Sequence, residues 1–182
     1  MNKKIEKEYK ILVTKDKFEQ LLSLYDDYET SEQLNIYYDT KDEKLKALKG
    51  GLRIRYKNNK YIFTLKFKHP EGHIELEKEI PHDRINDLHQ DETIAAWFKE
   101  YGLCGPFIEI GRVHTLRSLY RNDVAELCFD ISHYNHITDY EIEYEFIQEH
   151  DGLSKFNEIL AHANLKFEKN CITKLGRMLN SL

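Results

Sequence analysis

The stretch Leu52-Arg53-Ile54-Arg55-Tyr56-Lys57-Asn58-Asn59-Lys60-Tyr61-Ile62-Phe63-Thr64-Leu65-Lys66-Phe67-Lys68 reads as two strands around a tight turn. Asn tolerates the left-handed backbone, so Asn58-Asn59 is a two-residue hairpin loop. That loop sets Arg55 opposite Ile62 and Arg53 opposite Thr64. Residues directly opposite share a face, so Arg53 and Arg55 join Thr64, Lys66 and Lys68. Leu52, Ile54 and Tyr56 meet Leu65, Phe63 and Tyr61 on the other face. His69-Pro70-Glu71-Gly72 is a second turn with Pro and Gly at turn positions. Taken as a four-residue loop, it sets Lys66 opposite Glu75 and Thr64 opposite Glu77. Both registers sort charge to one face and apolar side chains to the other, with Lys78 opposite Phe63 the exception. A slip of one residue in either would scramble the pattern.

The same division recurs at both ends of the chain. From Ile5 to Ile11 a strand is expected with Ile5, Tyr9 and Ile11 on one parity and Glu6, Glu8 and Lys10 on the other. Tyr140, Ile142, Tyr144 and Phe146 alternate with Glu141, Glu143 and Glu145. Between Val124 and Ile131, Glu126, Cys128 and Asp130 oppose Ala125, Leu127, Phe129 and Ile131. Strand material from Phe107 to Asn122 places Arg117 and Arg121 with Val113, Thr115 and Leu119. A further strand runs from Gln33 to Asp39.

Helices fill the gaps. Thr14 is expected to cap one carrying Phe18, Leu21, Leu22 and Tyr25. Lys41 to Lys49 is a charged connection in which a helical turn is expected through Leu45 and Leu48. Pro81 opens a helical region with a short piece at Ile85 and Leu88. A stronger helix follows through Ile94, Trp97, Phe98 and Tyr101, and Gly102 ends it. Trp97 is read as core. Two more helices are expected over residues 153–163 and 173–179. No linker, low-complexity tract or repeat beyond the charged strand face appears, so one domain is expected over residues 1–182.

The bulk properties exclude several classes. The 182 residues are 41% hydrophobic and 32% charged, with net charge −5. That suits a globular domain with a sizeable core and gives no basic excess for general nucleic-acid binding. No apolar run approaches a membrane span, and Met1-Asn2-Lys3-Lys4 does not begin a signal-peptide core. Cys104, Cys128 and Cys171 are odd in number and lack metal-ligand spacing, so they read as reduced thiols in a cytoplasmic protein. His73, His82 and the other histidines are expected at the surface.

The charged face admits two placements. An open antiparallel sheet would leave it in solvent. A sheet closed into a barrel would gather Arg53, Arg55, Lys66, Lys68 and Arg117 with Glu6, Glu8, Glu75, Glu77, Glu126, Asp130, Glu141 and Glu143 in one lumen. Apolar helical stripes cover the apolar sheet face in either case; the matching of positive by negative residues on the charged face, with few Thr, Ser, Gln or Asn, favours the barrel. Carboxylates without His or Cys are hard oxygen ligands suited to Mg²⁺ or Mn²⁺. Arg and Lys suit phosphate oxygens. Together they fit a metal-complexed polyphosphate, whose phosphoryl transfer needs mostly positioning and charge neutralisation.

Glu6-x-Glu8-x-Lys10, Tyr38-Asp39-Thr40, Leu52-Arg53-Ile54-Arg55, Thr64-Leu65-Lys66, Arg117, Asp130, Glu141-Ile142-Glu143 and Lys174 span almost the whole chain in order. In this the sequence resembles the CYTH-domain proteins, the triphosphate tunnel metalloenzymes. The resemblance implies an α+β fold built on an eight-stranded antiparallel tunnel, a divalent metal (Mg²⁺ or Mn²⁺) and a small-molecule triphosphate substrate. It implies that Glu6, Glu8, Asp130, Glu141 and Glu143 hold the metal or orient water, with Glu6, Glu8 and Lys10 as the catalytic group. Lys10, Arg53, Arg55, Lys66, Arg117 and Lys174 would grip the phosphates. Glu75 and Glu77 match the family's mid-barrel acidic strand, and the sequence does not separate their roles. Arg177 either joins the mouth of the tunnel or caps the last helix. The family holds triphosphatases and class IV adenylate cyclases. The cyclases often carry a His-Phe pair just before Glu-x-Glu-x-Lys, and Met1 to Ile5 lack it. A metal-dependent triphosphatase is therefore the leading expectation, with a cyclase or a non-catalytic polyphosphate-binding module as alternatives.

Overall fold

The computed structural model describes residues 3–182; Met1 and Asn2, on which part of the leader and cyclase comparison rests, lie outside the described residues. Among the described residues the strands are β1 (Lys3–Glu6), β2 (Glu8–Val13), β3 (Glu29–Thr40), β4 (Gly50–Lys57), β5 (Lys60–His69), β6 (Gly72–Ile80), β7 (Phe107–Arg121), β8 (Ala125–Tyr134) and β9 (Ile137–Phe146). The helices are α1 (Lys15–Leu22), α2 (Lys44–Ala47), α3 (Glu92–Glu100), α4 (Gly152–Ala161) and α5 (Lys174–Asn180), with a 3-10 turn at Ile85–Gln90.

The strands form one sheet in the order β1-β6-β5-β4-β3-β7-β8-β9-β2. Its two end strands are consecutive in the chain and separated by Lys7 alone, which is the strand order of a nearly closed antiparallel barrel. Nine strands stand where eight were expected, for a physical reason. The opening stretch is not one continuous strand from Ile5 to Ile11. At Lys7 the backbone changes neighbours: β1 lies next to β6 and β2 next to β9.

The chain divides into two compact units. One comprises residues 34–112 with the chain start up to Ile5, and the other residues 6–33 and 113–182. In the first, β4 pairs β5 with Arg55 opposite Ile62 and Arg53 opposite Thr64, as the Asn58-Asn59 turn requires. Both asparagines have positive φ. The β5–β6 register sets Lys66 against Glu75 and Thr64 against Glu77, also as expected. The second turn is tighter than a four-residue loop, because His69 and Gly72 already pair and only Pro70 and Glu71 turn the corner. Leu52, Ile54, Phe63, Leu65 and Leu76 form one core with Trp97 and Phe98 of α3. Trp97 stacks on Phe63 at 6.0 Å between ring centres.

Lys78, the residue out of pattern, is explained by α3. Its ammonium bonds both oxygens of Asp91 at 2.8 and 2.6 Å, and Asp91 is the N-cap that accepts from the Thr93 and Ile94 N–H groups. A partly exposed cation on the apolar parity thus pins the start of the helix that covers this face.

In the second unit, Phe18 and Leu21 of α1 and Phe156 and Leu160 of α4 pack on Leu127, Phe129, Ile142 and Tyr144 of the sheet. Thr14 stands at the N-cap of α1, but its side chain makes no capping bond; its carbonyl accepts from Phe18 N instead. Among the described residues no helix is long and apolar enough to cross a membrane.

Burial pushes the Asp91 carboxyl up, but Lys78 and the Ile94 and Thr93 N–H groups outweigh it and hold the carboxyl below its ordinary value. A depressed carboxylate adds stability above its unfolded pKa and loses it as pH falls through the folded one. Asp91→Ala should therefore lower unfolding free energy by about 1–2 kcal/mol at neutral pH, measured by urea titration. The gap from wild type should shrink as pH drops below about 4.

Candidate functional site

Each unit carries part of the charged face. In the first, Arg53 and Arg55 lie half-buried on β4. Arg53 Nη2 stands 3.5 Å from Glu75 Oε1. Arg55 Nε donates to Asn35 Oδ1 at 2.9 Å, across the β3–β4 register that pairs these two residues. Glu77 is exposed and accepts from Thr64 at 3.3 Å, so of Glu75 and Glu77 it is Glu75 that meets an arginine. Lys66 is half-buried opposite Glu75. His73, expected at the surface, is half-buried and shares the strand face of Glu75 and Glu77; His82 is half-buried too.

Sequence reasoning placed a strand at β3 but named neither Asn35 nor Tyr37 as a site residue. Asn35 and Tyr37 stand opposite Arg55 and Arg53, and both are buried. The signal was present, since Gln33, Asn35, Tyr37 and Asp39 share one parity of a strand whose partner carried the arginines. Asp39 plays a local part. Its carboxylate accepts from the N–H groups of Thr40, Leu45 and Lys46 at 2.7, 2.9 and 3.1 Å. It thereby stands in for a cap at the four-residue α2, whose own N-cap Glu43 makes no capping bond.

The second unit holds the denser cluster. Asp130 on β8 lies directly between Arg117 on β7 and Glu141 on β9. Glu143 is opposite Cys128 on one side and Lys10 on the other. Strand alternation points all of these to one face, and burial shows that the face is enclosed. Glu6, Glu8, Lys10, Asp130, Glu141 and Glu143 are all buried, whereas Ile5 on the apolar parity is 46% exposed. For these strands a solvated charged face is thereby excluded.

The cluster is cross-linked throughout. Arg117 donates to Asp130 through Nε and Nη2 at 2.7 and 2.5 Å and to Glu143 at 2.5 Å. Lys174 Nζ lies 2.8 Å from Asp130 and 2.7 Å from Glu143, and also bonds Glu141. Arg177 donates to Asp139 and Glu141, each at 2.6 Å, and to the Ile172 carbonyl. Lys10 Nζ pairs with Glu8 at 2.5 Å. One carboxylate oxygen from each of Asp130, Glu141 and Glu143 lies within 4.8 Å of the others.

Two devices bring the C-terminal cations here. Lys174 and Arg177 are three apart on α5, so they share one side of the helix. The segment before α5 is strapped to β2: Asn170 accepts from Lys10 N and donates to the Glu8 carbonyl, and Cys171 N donates to the Lys10 carbonyl. Arg177 is thus no simple helix cap; it is 8% exposed and sits on Glu141.

Burial pushes the Asp130, Glu141 and Glu143 carboxyls up, and the cations decide which remain ionised. Lys174 and Arg117 hold Glu143 well below its ordinary value, and Arg117 and Lys174 likewise depress Asp130. Glu141 is raised, by burial and by its neighbour Glu143, and is the carboxyl of the three that most readily takes a proton. Burial opposes the charge on Lys10, but Glu8 and Glu143 outweigh it and push its pKa up to about 12. Burial also raises the Cys171 thiol, which donates to Glu141, to about 12, so it is no ready nucleophile.

A nearly closed antiparallel barrel whose enclosed face pairs carboxylates with arginines and lysines defines a class. The CYTH domain family model matches residues 4–171, and the chain belongs to that family. A Bacillus subtilis (strain 168) protein named "Putative triphosphatase YjbK" is 28% identical, the match covering 88% of this chain and 87% of that one. A Bacillus halodurans crystal structure described as a "putative adenylate cyclase" is 31% identical with a TM-score of 0.83, covering 97% of this chain and 98% of that one. A Hippeastrum protein, described as a "putative adenylyl cyclase" with "a dominant triphophatase activity", shares the fold at 23% identity and TM-score 0.80, covering 97% of this chain and 96% of that one.

Asp39→Ala should cost about 2 kcal/mol of stability by leaving buried N–H groups without their acceptor. Differential scanning calorimetry should show the lower melting temperature. An unchanged melt would mean that α2 is capped in some other way.

Proposed function

We propose that this protein is a divalent-metal-dependent hydrolase of triphosphate compounds. The observation that carries the proposal is the convergence of Asp130, Glu141 and Glu143, with Arg117, Lys174 and Arg177 among them. A site for phosphate alone would be better served by cations without carboxylates. A site for a metal alone would not need three cations. A metal–triphosphate complex uses both.

The residues fit such a metal. Three buried carboxylates within 4.8 Å of one another offer the hard oxygen donors that Mg²⁺ and Mn²⁺ prefer. Glu6 and Glu8 add two more buried carboxylates on the opening strands. The metal, when bound, would neutralise the phosphate oxygens and draw charge from the leaving group. Arg117 would keep Asp130 and Glu143 ionised and in place. Lys10 and Lys174 would meet phosphate oxygens. Glu8, tied to Lys10, would orient the attacking water. The relative named as a triphosphatase supports hydrolysis. The 31% identical relative described as an adenylate cyclase supports the second reading, in which the same metal–triphosphate contacts serve ATP cyclisation.

Incubation with inorganic triphosphate, thiamine triphosphate and nucleoside triphosphates, each with Mg²⁺ or Mn²⁺, separates the readings. Phosphate release that stops on full chelation is the expected result. Pyrophosphate with cyclic AMP would make the protein a cyclase. Binding without turnover would make it a polyphosphate-binding module.

A further inference from the structure

We propose that the Lys174 ammonium holds the place of the divalent metal among Asp130, Glu141 and Glu143, so that metal entry must displace it onto the incoming triphosphate. This rests on the metal-dependent triphosphatase proposed above and concerns how that site loads.

The three carboxylates each give Lys174 Nζ an oxygen: Asp130 Oδ2 at 2.8 Å, Glu143 Oε1 at 2.7 Å, and Glu141 Oε1 in a direct bond. The ammonium donates to Glu141 and Glu143 and forms an ion pair with Asp130. A small hard dication seeks the same oxygens, and the two cations cannot share them. The local pairing of charges gives the same answer. Asp130, Glu141 and Glu143 each already have a cationic partner in Arg117, Lys174 or Arg177 before any ligand arrives. A metal ion entering alone would bring two uncompensated charges into a buried site. A triphosphate entering alone would meet three carboxylates. If Lys174 moves to a phosphate oxygen as the metal takes its carboxylates, each penalty is partly offset.

The three cations differ in their freedom to move. Arg117 is held by two nitrogens on Asp130 and a third contact on Glu143. Arg177 is anchored by Asp139, Glu141 and the Ile172 carbonyl. Lys174 is a point charge on a flexible four-carbon stem at the first position of α5, so a rotamer change suffices. A second, independent feature points to an oxygen-rich ligand. Arg177 is 8% exposed, and its Nη2 is buried without a hydrogen-bond partner. A buried guanidinium donor left unpaired is costly, and an anionic oxygen would satisfy it.

The consequence is reciprocal coupling: triphosphate tightens metal binding, and metal tightens triphosphate binding by the same factor. Mn²⁺ binding to the full chain, followed by electron paramagnetic resonance of the free ion, tests it without turnover. Wild type, Lys174→Met, Lys174→Gln and Lys174→Arg are compared, with and without a methylene-bridged triphosphate analogue, each shown to be folded by circular dichroism. Lys174→Met and Lys174→Gln should bind Mn²⁺ alone about tenfold or more tighter than wild type. Lys174→Arg should not gain, because it keeps the charge. The analogue should tighten Mn²⁺ binding strongly in wild type and much less in the two neutral variants. Equal Mn²⁺ affinity in wild type and both folded neutral variants would overturn the exchange, while leaving the triphosphatase intact if wild type releases phosphate. Absence of Mn²⁺ binding in every form, with and without the analogue, would overturn both.

Discussion

The buried ion pairs between strands β7, β8 and β9 and helix α5 are the constraint on which the second unit depends. Asp130, Glu141 and Glu143 are buried carboxylates, and a buried charge without a partner costs several kcal/mol. Arg117 supplies one partner from the adjacent strand, but strand alternation alone cannot bring enough cations to that face. Lys174 and Arg177 complete the balance from a helix that follows in the chain. The strap of Asn170 and Cys171 on β2 holds that helix in position. The carboxylates, the strap and the last helix therefore belong to one structural unit, and none of them is explained without the others.

Such an arrangement is a poor way to gain stability. Apolar side chains of similar size would often do as well or better, because the pairs mostly offset their own desolvation. The apolar work is done on the other face of the same strands, where Phe129, Ile142 and Tyr144 meet Phe18 and Phe156. A chain that already has that core and still buries six or more charged groups is using them for something other than folding. Metal–triphosphate chemistry, which needs carboxylates and cations fixed beside one another and shielded from water, is the use that fits the CYTH family.

Period-two alternation made much of this legible. Asn58-Asn59 fixed one register and the His69-Pro70-Glu71-Gly72 turn the next, and together they put Arg53, Arg55, Lys66, Glu75 and Glu77 on a common face. A side-chain period of two leaves no intermediate placement, so a correct turn assignment fixes every residue of the hairpin. Other features depend on contacts far apart in sequence. The break at Lys7 is invisible locally, because Glu6, Glu8 and Lys10 alternate across it as an unbroken strand would; only the change of neighbours reveals it. Thr14 has the residue type of a helix cap without forming its side-chain bond. Asp39 looked like part of a functional motif, but its visible bonds go to the backbone around α2. Arg177 could not be separated from a helix cap until Glu141 was seen beside it.

The central claim is that one face of the opening strands works and the other does not. Steady-state kinetics on inorganic triphosphate with Mg²⁺ for Glu8→Gln, Lys10→Met and Lys7→Ala test it most directly. Glu8 and Lys10 are buried and paired with each other, whereas Lys7 points the other way, to Glu149 and the Phe146 ring. The account predicts losses of roughly a hundredfold or more in kcat/KM at Glu8 and Lys10, and little change at Lys7. Near-wild-type turnover in folded Glu8→Gln and Lys10→Met, or equal damage at Lys7, would contradict it.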